Sequence, residues 1–105
     1  MGLKLIWTGF AINQLENVYD YYNKIAGKAV AKRVVNVIYK APAVLKDLPE
    51  LGQIEELLID RDQEFRYILC KHHKIIYWLN VNQKRIEVVD VFDTRQNPTK
   101  IIRNN

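Results

Sequence analysis

The sequence predicts an α+β fold: an N-terminal strand, an antiparallel helical hairpin, and a four-stranded antiparallel meander, with the helices packed on one face of the sheet. Three observations carry this. From Ile12 to Leu45 apolar residues recur at three- and four-residue spacing, the pattern of amphipathic helices. Beyond the turn LPELG the period falls to about two, the pattern of strands. The links between the later apolar runs are so short that consecutive strands must pair antiparallel.

Residues 3–7 form a short apolar strand, and Thr8 offers a hydroxyl to cap the helix that follows. Ile12, Leu15, Val18, Tyr19, Tyr22 and Ile25 mark that helix, and Gly27 breaks it. Val30, Val34, Val37, Ile38, Ala41 and Leu45 mark the second, which Pro42 must kink or end because it has no N–H to donate. A link this short makes the pair a hairpin. Strands are expected at residues 53–60, 64–71, 74–80 and 85–92. The whole chain, 1–105, reads as one domain.

Composition sets bounds. With 49% hydrophobic and 27% charged residues the chain is globular, and its apolar runs are too short to span a bilayer. The opening MGLKLIWTGF shows no long apolar run with a small-residue cleavage site, so no export signal is expected, and one cysteine, Cys70, rules out an internal disulfide. A cytoplasmic protein is expected. The net charge of +4 is mild, yet between Asp20 and Asp47 there are six cations and no acid. Lys24, Lys28 and Lys32 step by four, as along a solvated helical ridge.

The hairpin can cover only one face of the sheet. The other is expected to keep aliphatic and aromatic groups mixed with Arg66 and Lys74, a surface that suits a partner. Candidate chemistry is sparse. His72-His73 has no third ligand at a recognisable spacing, so polar turn residues are the simpler reading and no metal is expected. Cys70 lacks an orienting group, and there is no glycine-rich phosphate loop. Arg66, Lys71, Lys74 and Arg95 would form a phosphate or carboxylate site if strand register brought them together.

Four segments in this order, WTGFAINQLENVYDYY, LKDLPELG, FRYILCKHHKIIYWL and VVDVFDTRQNP, resemble the RelE/ParE superfamily of bacterial type II toxins. The resemblance implies a twisted antiparallel sheet under a helical hairpin. It also implies a cognate antitoxin with an acidic or amphipathic C-terminal segment, a hetero-oligomer with that antitoxin, and no cofactor. Two targets follow from the two branches. ParE-like members inhibit DNA gyrase, which needs no catalytic residue. RelE-like members are metal-independent endoribonucleases that cut messenger RNA on the ribosome. For that branch Arg66, Lys74 and Arg95 would hold phosphate, with His72 or His73 moving a proton. No tyrosine follows Tyr77, which departs from some nucleases, and VYDYY with DTRQNP is more ParE-like. The residues expected to bind a partner, from the uncovered sheet face and the chain's last turn, are Arg66, Ile68, Lys74, Ile76, Trp78 and Arg95. A degenerate toxin that keeps only antitoxin binding is a third possibility.

Overall fold

The computed structural model describes residues 2–103. The first strand, β1 (Lys4–Trp7), runs into helix α1 (Gly9–Ala26), where the Thr8 hydroxyl accepts from the Ala11 N–H at 3.2 Å. Gly27 takes a left-handed φ of 92°, which favours glycine, and its N–H closes α1 on the Asn23 carbonyl. Helix α2 (Lys28–Lys40) gives way at Pro42 to a tighter 3-10 helix, Ala41–Lys46, as the missing N–H requires. Because Gly27 separates the helices, Lys24 belongs to α1 while Lys28 and Lys32 belong to α2. The single lysine ridge is therefore interrupted.

Four strands follow: β2 (Gln53–Ile54), β3 (Arg66–Cys70), β4 (His73–Asn80) and β5 (Arg85–Asp93). The sheet has five strands in the order β1-β5-β4-β3-β2. It is mixed, and this corrects the expectation of a four-stranded antiparallel meander beside a separate first strand. β1 pairs parallel to β5, Lys4 against Arg85 through Trp7 against Val88, while the remaining pairs are antiparallel. A parallel neighbour needs a long crossover, which the hairpin and three strands provide. The expected strand over 53–60 shrinks to two residues, because Glu55 turns inward and Glu56–Leu58 winds into a 3-10 turn.

The main core lies between hairpin and sheet. Ala11, Leu15, Ile38 and Leu45 pack onto Ile75, Tyr77, Ile86, Val88 and Val91, all buried. Helix residues expected in this stripe but left outside it include Ile25 and Val37, which are exposed. The opposite sheet face was expected to lie open, and it does not. Leu58 and Ile101 cover Ile76 and Phe92 there, with Phe65, Tyr67 and Val89 around them. Ile101 belongs to the 3-10 helix Pro98–Arg103, which brings the chain back across the sheet.

A bulge in β5 decides which side chains reach the hairpin. Ile76 pairs with Asp90 and Tyr77 with Val88, leaving Val89 as an extra residue. Ile86 and Val88 face the hairpin before it, and Val91 does so after it. Strict alternation would have chosen Asp90 and Phe92 instead. Among the described residues no helix is long and apolar enough to cross a membrane.

Candidate functional site

The bulge also turns Asp93 toward α1, opposite its register partner His73. Beside them a cavity of about 480 Å³ opens between α1 and the ends of β4 and β5, with Val18 and Val91 among its lining and Tyr22, His73, Asp93 and Arg95 at its polar side. A smaller cavity of about 160 Å³ adjoins it, sharing Tyr22 and His73 and adding Arg33, Cys70 and Lys71.

Arg95 is fixed by a two-point ion pair. Its Nε donates to Asp93 Oδ1 at 3.0 Å and its Nη2 to Oδ2 at 2.7 Å, while its backbone N–H donates to Oδ1 at 2.9 Å. The side-chain bond from Arg95 is the main reason the Asp93 carboxyl is pulled down to about 2; partial burial opposes it. The same pair, with Tyr22, raises the guanidinium above its ordinary value. His73 is only 4% exposed, and burial pushes its pKa down against the upward pull of Asp93. It is therefore a neutral imidazole at pH 7. Burial likewise raises the Cys70 thiol, against the pull of Lys71, so it is not a poised thiolate.

The depressed Asp93 gives an acid-limb prediction. A carboxyl whose folded pKa lies below its ordinary 3.8 stabilises the fold fully at higher pH, and that contribution fades as pH falls toward about 2. The Arg95 side chain is half exposed, so solvent screens the pair and its contribution is small. Asp93→Asn should flatten denaturant midpoints between about pH 4 and 2, with less contrast in high salt. An unchanged acid limb would remove the pair from the stability account.

The other cations expected at a site do not join Arg95. Arg66 stands opposite Tyr77, on the hairpin side of the sheet, and Lys74 stands opposite Leu69, on the far side. Each has its own partner. Arg66 pairs with Glu64 at 2.7 Å and donates to the Gly52 carbonyl at 2.8 Å. Lys74 pairs with Glu55 at 2.8 Å and lies 4.2 Å from the centre of the Tyr67 ring. The structure thus separates Arg66, Lys74 and Arg95 onto different surfaces, while bringing His73 and Arg95 to one cavity. His72 is exposed in the turn before β4.

The proposed contact residues also divide. Ile68 packs under the hairpin, and Ile76 is fully buried beneath the C-terminal segment, so neither is presented to a partner in this conformation. Trp78 is half-buried across from Glu87, whose carboxyl is pulled down by bonds from Asn80 and Arg85 despite the opposing effect of burial. Tyr22 was missed as a site residue because its three- and four-residue spacing marks it only as part of a core stripe. Among the described residues no group of three or more His, Cys, Asp and Glu could hold a metal ion.

The family model described as the ParE toxin of the type II toxin–antitoxin system, parDE, matches residues 5–98. Among solved structures the chain is similar to one titled "Chromosomal ParDE TA system from P. aeruginosa". The two share 18% identity with a TM-score of 0.72, over 87% of this chain and 95% of that one, a likeness of fold. No curated protein sequence matches the chain.

Proposed function

We propose that this chain, which belongs to the ParE toxin family of type II toxin–antitoxin systems, arrests growth by binding DNA gyrase and is silenced by a cognate antitoxin. Family membership supports the toxin role and an antitoxin partner. The observation that favours binding over cutting is the separation of the strand cations. Phosphodiester cleavage stabilises developing charge with donors that converge on one phosphate. Here Arg66 and Lys74 stand on opposite faces and each is already neutralised by a carboxylate.

A binding toxin needs only an accessible surface, and two features supply it. The outer hairpin carries Tyr21 and Tyr39 with about half their surface exposed. The C-terminal turn holds Arg95 in one rotamer, so little side-chain entropy remains to be lost on docking. The neutralising partner is expected to bring an acidic or amphipathic segment to this basic chain, with folding coupled to binding.

Inducible expression with parallel readouts tests the target. Growth arrest with a DNA-damage response ahead of any fall in translation is the expected result. Codon-phased cuts in messenger RNA would instead assign His73 and Arg95 to RNA cleavage. Expression without arrest would mark a degenerate toxin.

A further inference from the structure

We propose that the paired cavities beside α1 bind a nucleoside polyphosphate, with its base against α1 and its phosphates at Arg95, Lys71 and Arg33. This goes beyond the binding of gyrase or an antitoxin, since it gives the toxin a small-molecule ligand. The larger cavity, about 480 Å³, lies within the roughly 300–1,000 Å³ range of small-ligand sites. Its smaller neighbour continues it past Tyr22 and His73, which line both.

The two ends differ in chemistry. On the α1 side Gln14, Asn17 and Tyr21 follow one another at three- and four-residue spacing, so they share one helix face. Amide side chains present a donor and an acceptor on one planar group, the complement of a heterocycle edge. Tyr21 and Tyr22 meet edge to face at 5.1 Å, forming a corner against which a flat ring can stack. No charged side chain stands on this α1 wall, so an uncharged hydrogen-bonding head fits it.

The other end is cationic. Arg95 spends its Nε and Nη2 donors on Asp93 and also bonds the Tyr22 side chain, which lines both cavities, so its half-exposed guanidinium stands where they join. Beyond His73 the smaller cavity adds Arg33 and Lys71. Asp93 is the one acid lining either cavity among the described residues, and Arg95 already neutralises it. The balance is positive, which calls for an anionic tail rather than a neutral nucleoside. His73, kept neutral, joins the two ends as a donor or acceptor without adding charge.

The test is isothermal titration of the purified toxin, with no gyrase present, against ADP, GDP, adenosine and pyrophosphate. Binding of at least one nucleotide is expected, with adenosine and pyrophosphate each about tenfold weaker or more, because each keeps one half of the contacts. Arg95→Ala should weaken nucleotide binding about tenfold or more. Tyr21→Ala, at an exposed position outside the ion pair, should weaken it while leaving the melting temperature in place. Equal affinity for pyrophosphate and nucleotide, or no effect of Tyr21→Ala, would reduce the site to general polyanion attraction and overturn the proposal. No binding by any probe would overturn it too, and would leave the gyrase reading untouched.

Discussion

Gly52→Ala is expected to destabilise the protein by about 2–4 kcal/mol, visible as a lowered urea midpoint with an unchanged slope. A Cβ at this position would stand 2.7 Å from both the Tyr67 carbonyl oxygen and the Tyr77 hydroxyl, and 2.8 Å from the Tyr77 ring. Neither neighbour can give way cheaply. Tyr67 is held in β3, and Tyr77 is a fully buried core residue. Its hydroxyl accepts from the Gly52 N–H at 2.9 Å and donates to the Pro49 carbonyl at 2.8 Å, so moving it breaks both bonds. Tyr77→Phe separates the two costs, since it removes the hydroxyl without adding bulk. That variant should lose about 1–3 kcal/mol for the two buried groups left without a partner. A Gly52→Ala effect under about 0.5 kcal/mol would mean that the turn has room this packing denies.

Lys74→Ala is expected to cost about 3 kcal/mol, an effect dominated by the charge it strands. Glu55 is 3% exposed, and its carboxylate meets the Lys74 ammonium at 2.8 Å and the Leu57 N–H at 3.3 Å. With the lysine gone, the carboxylate stays buried without its counter-ion. The double variant Glu55→Gln with Lys74→Met keeps volume and removes both charges, so it should recover most of the loss. A thermal or urea double-mutant cycle measures this. If Lys74→Ala leaves stability unchanged but abolishes toxicity, the lysine serves a target rather than the fold.

Arg66 and Lys74 are expected from the sequence on the uncovered face of the sheet, meeting only if strand register brings them together. The Lys71-His72 turn pairs Cys70 with His73, so β3 residues face odd-numbered partners when they are even. A turn one residue longer, ending at His73, would pair Cys70 with Lys74 and place the two cations on one face. A one-residue shift in register reverses every side chain, and composition alone does not set it.

Other features were legible for identifiable reasons. Thr8, Gly27 and Pro42 act through local backbone chemistry, so the helical hairpin could be read from them directly. Period-two patterning located β3, β4 and β5 to within a few residues. It carries no information about which strands are neighbours, so the parallel pairing of β1 with β5 was invisible. The bulge at Val89 leaves no signal either, since Val88, Val89 and Val91 are all apolar. Yet that bulge sends Asp93 to the α1 side and builds the cavity with Tyr22 and His73. The covering of Ile76 by Ile101 was hidden for a related reason: Ile101 lies in a short segment with too few turns to show a period.

A toxin that binds and does not cut should act on purified DNA gyrase without any other component. Supercoiling of relaxed plasmid should fall in a dose-dependent way as the chain is added, with Arg95→Ala weaker than the parent and an antitoxin restoring activity. Full supercoiling at high toxin concentration, from a preparation that still arrests growth when expressed, would contradict it.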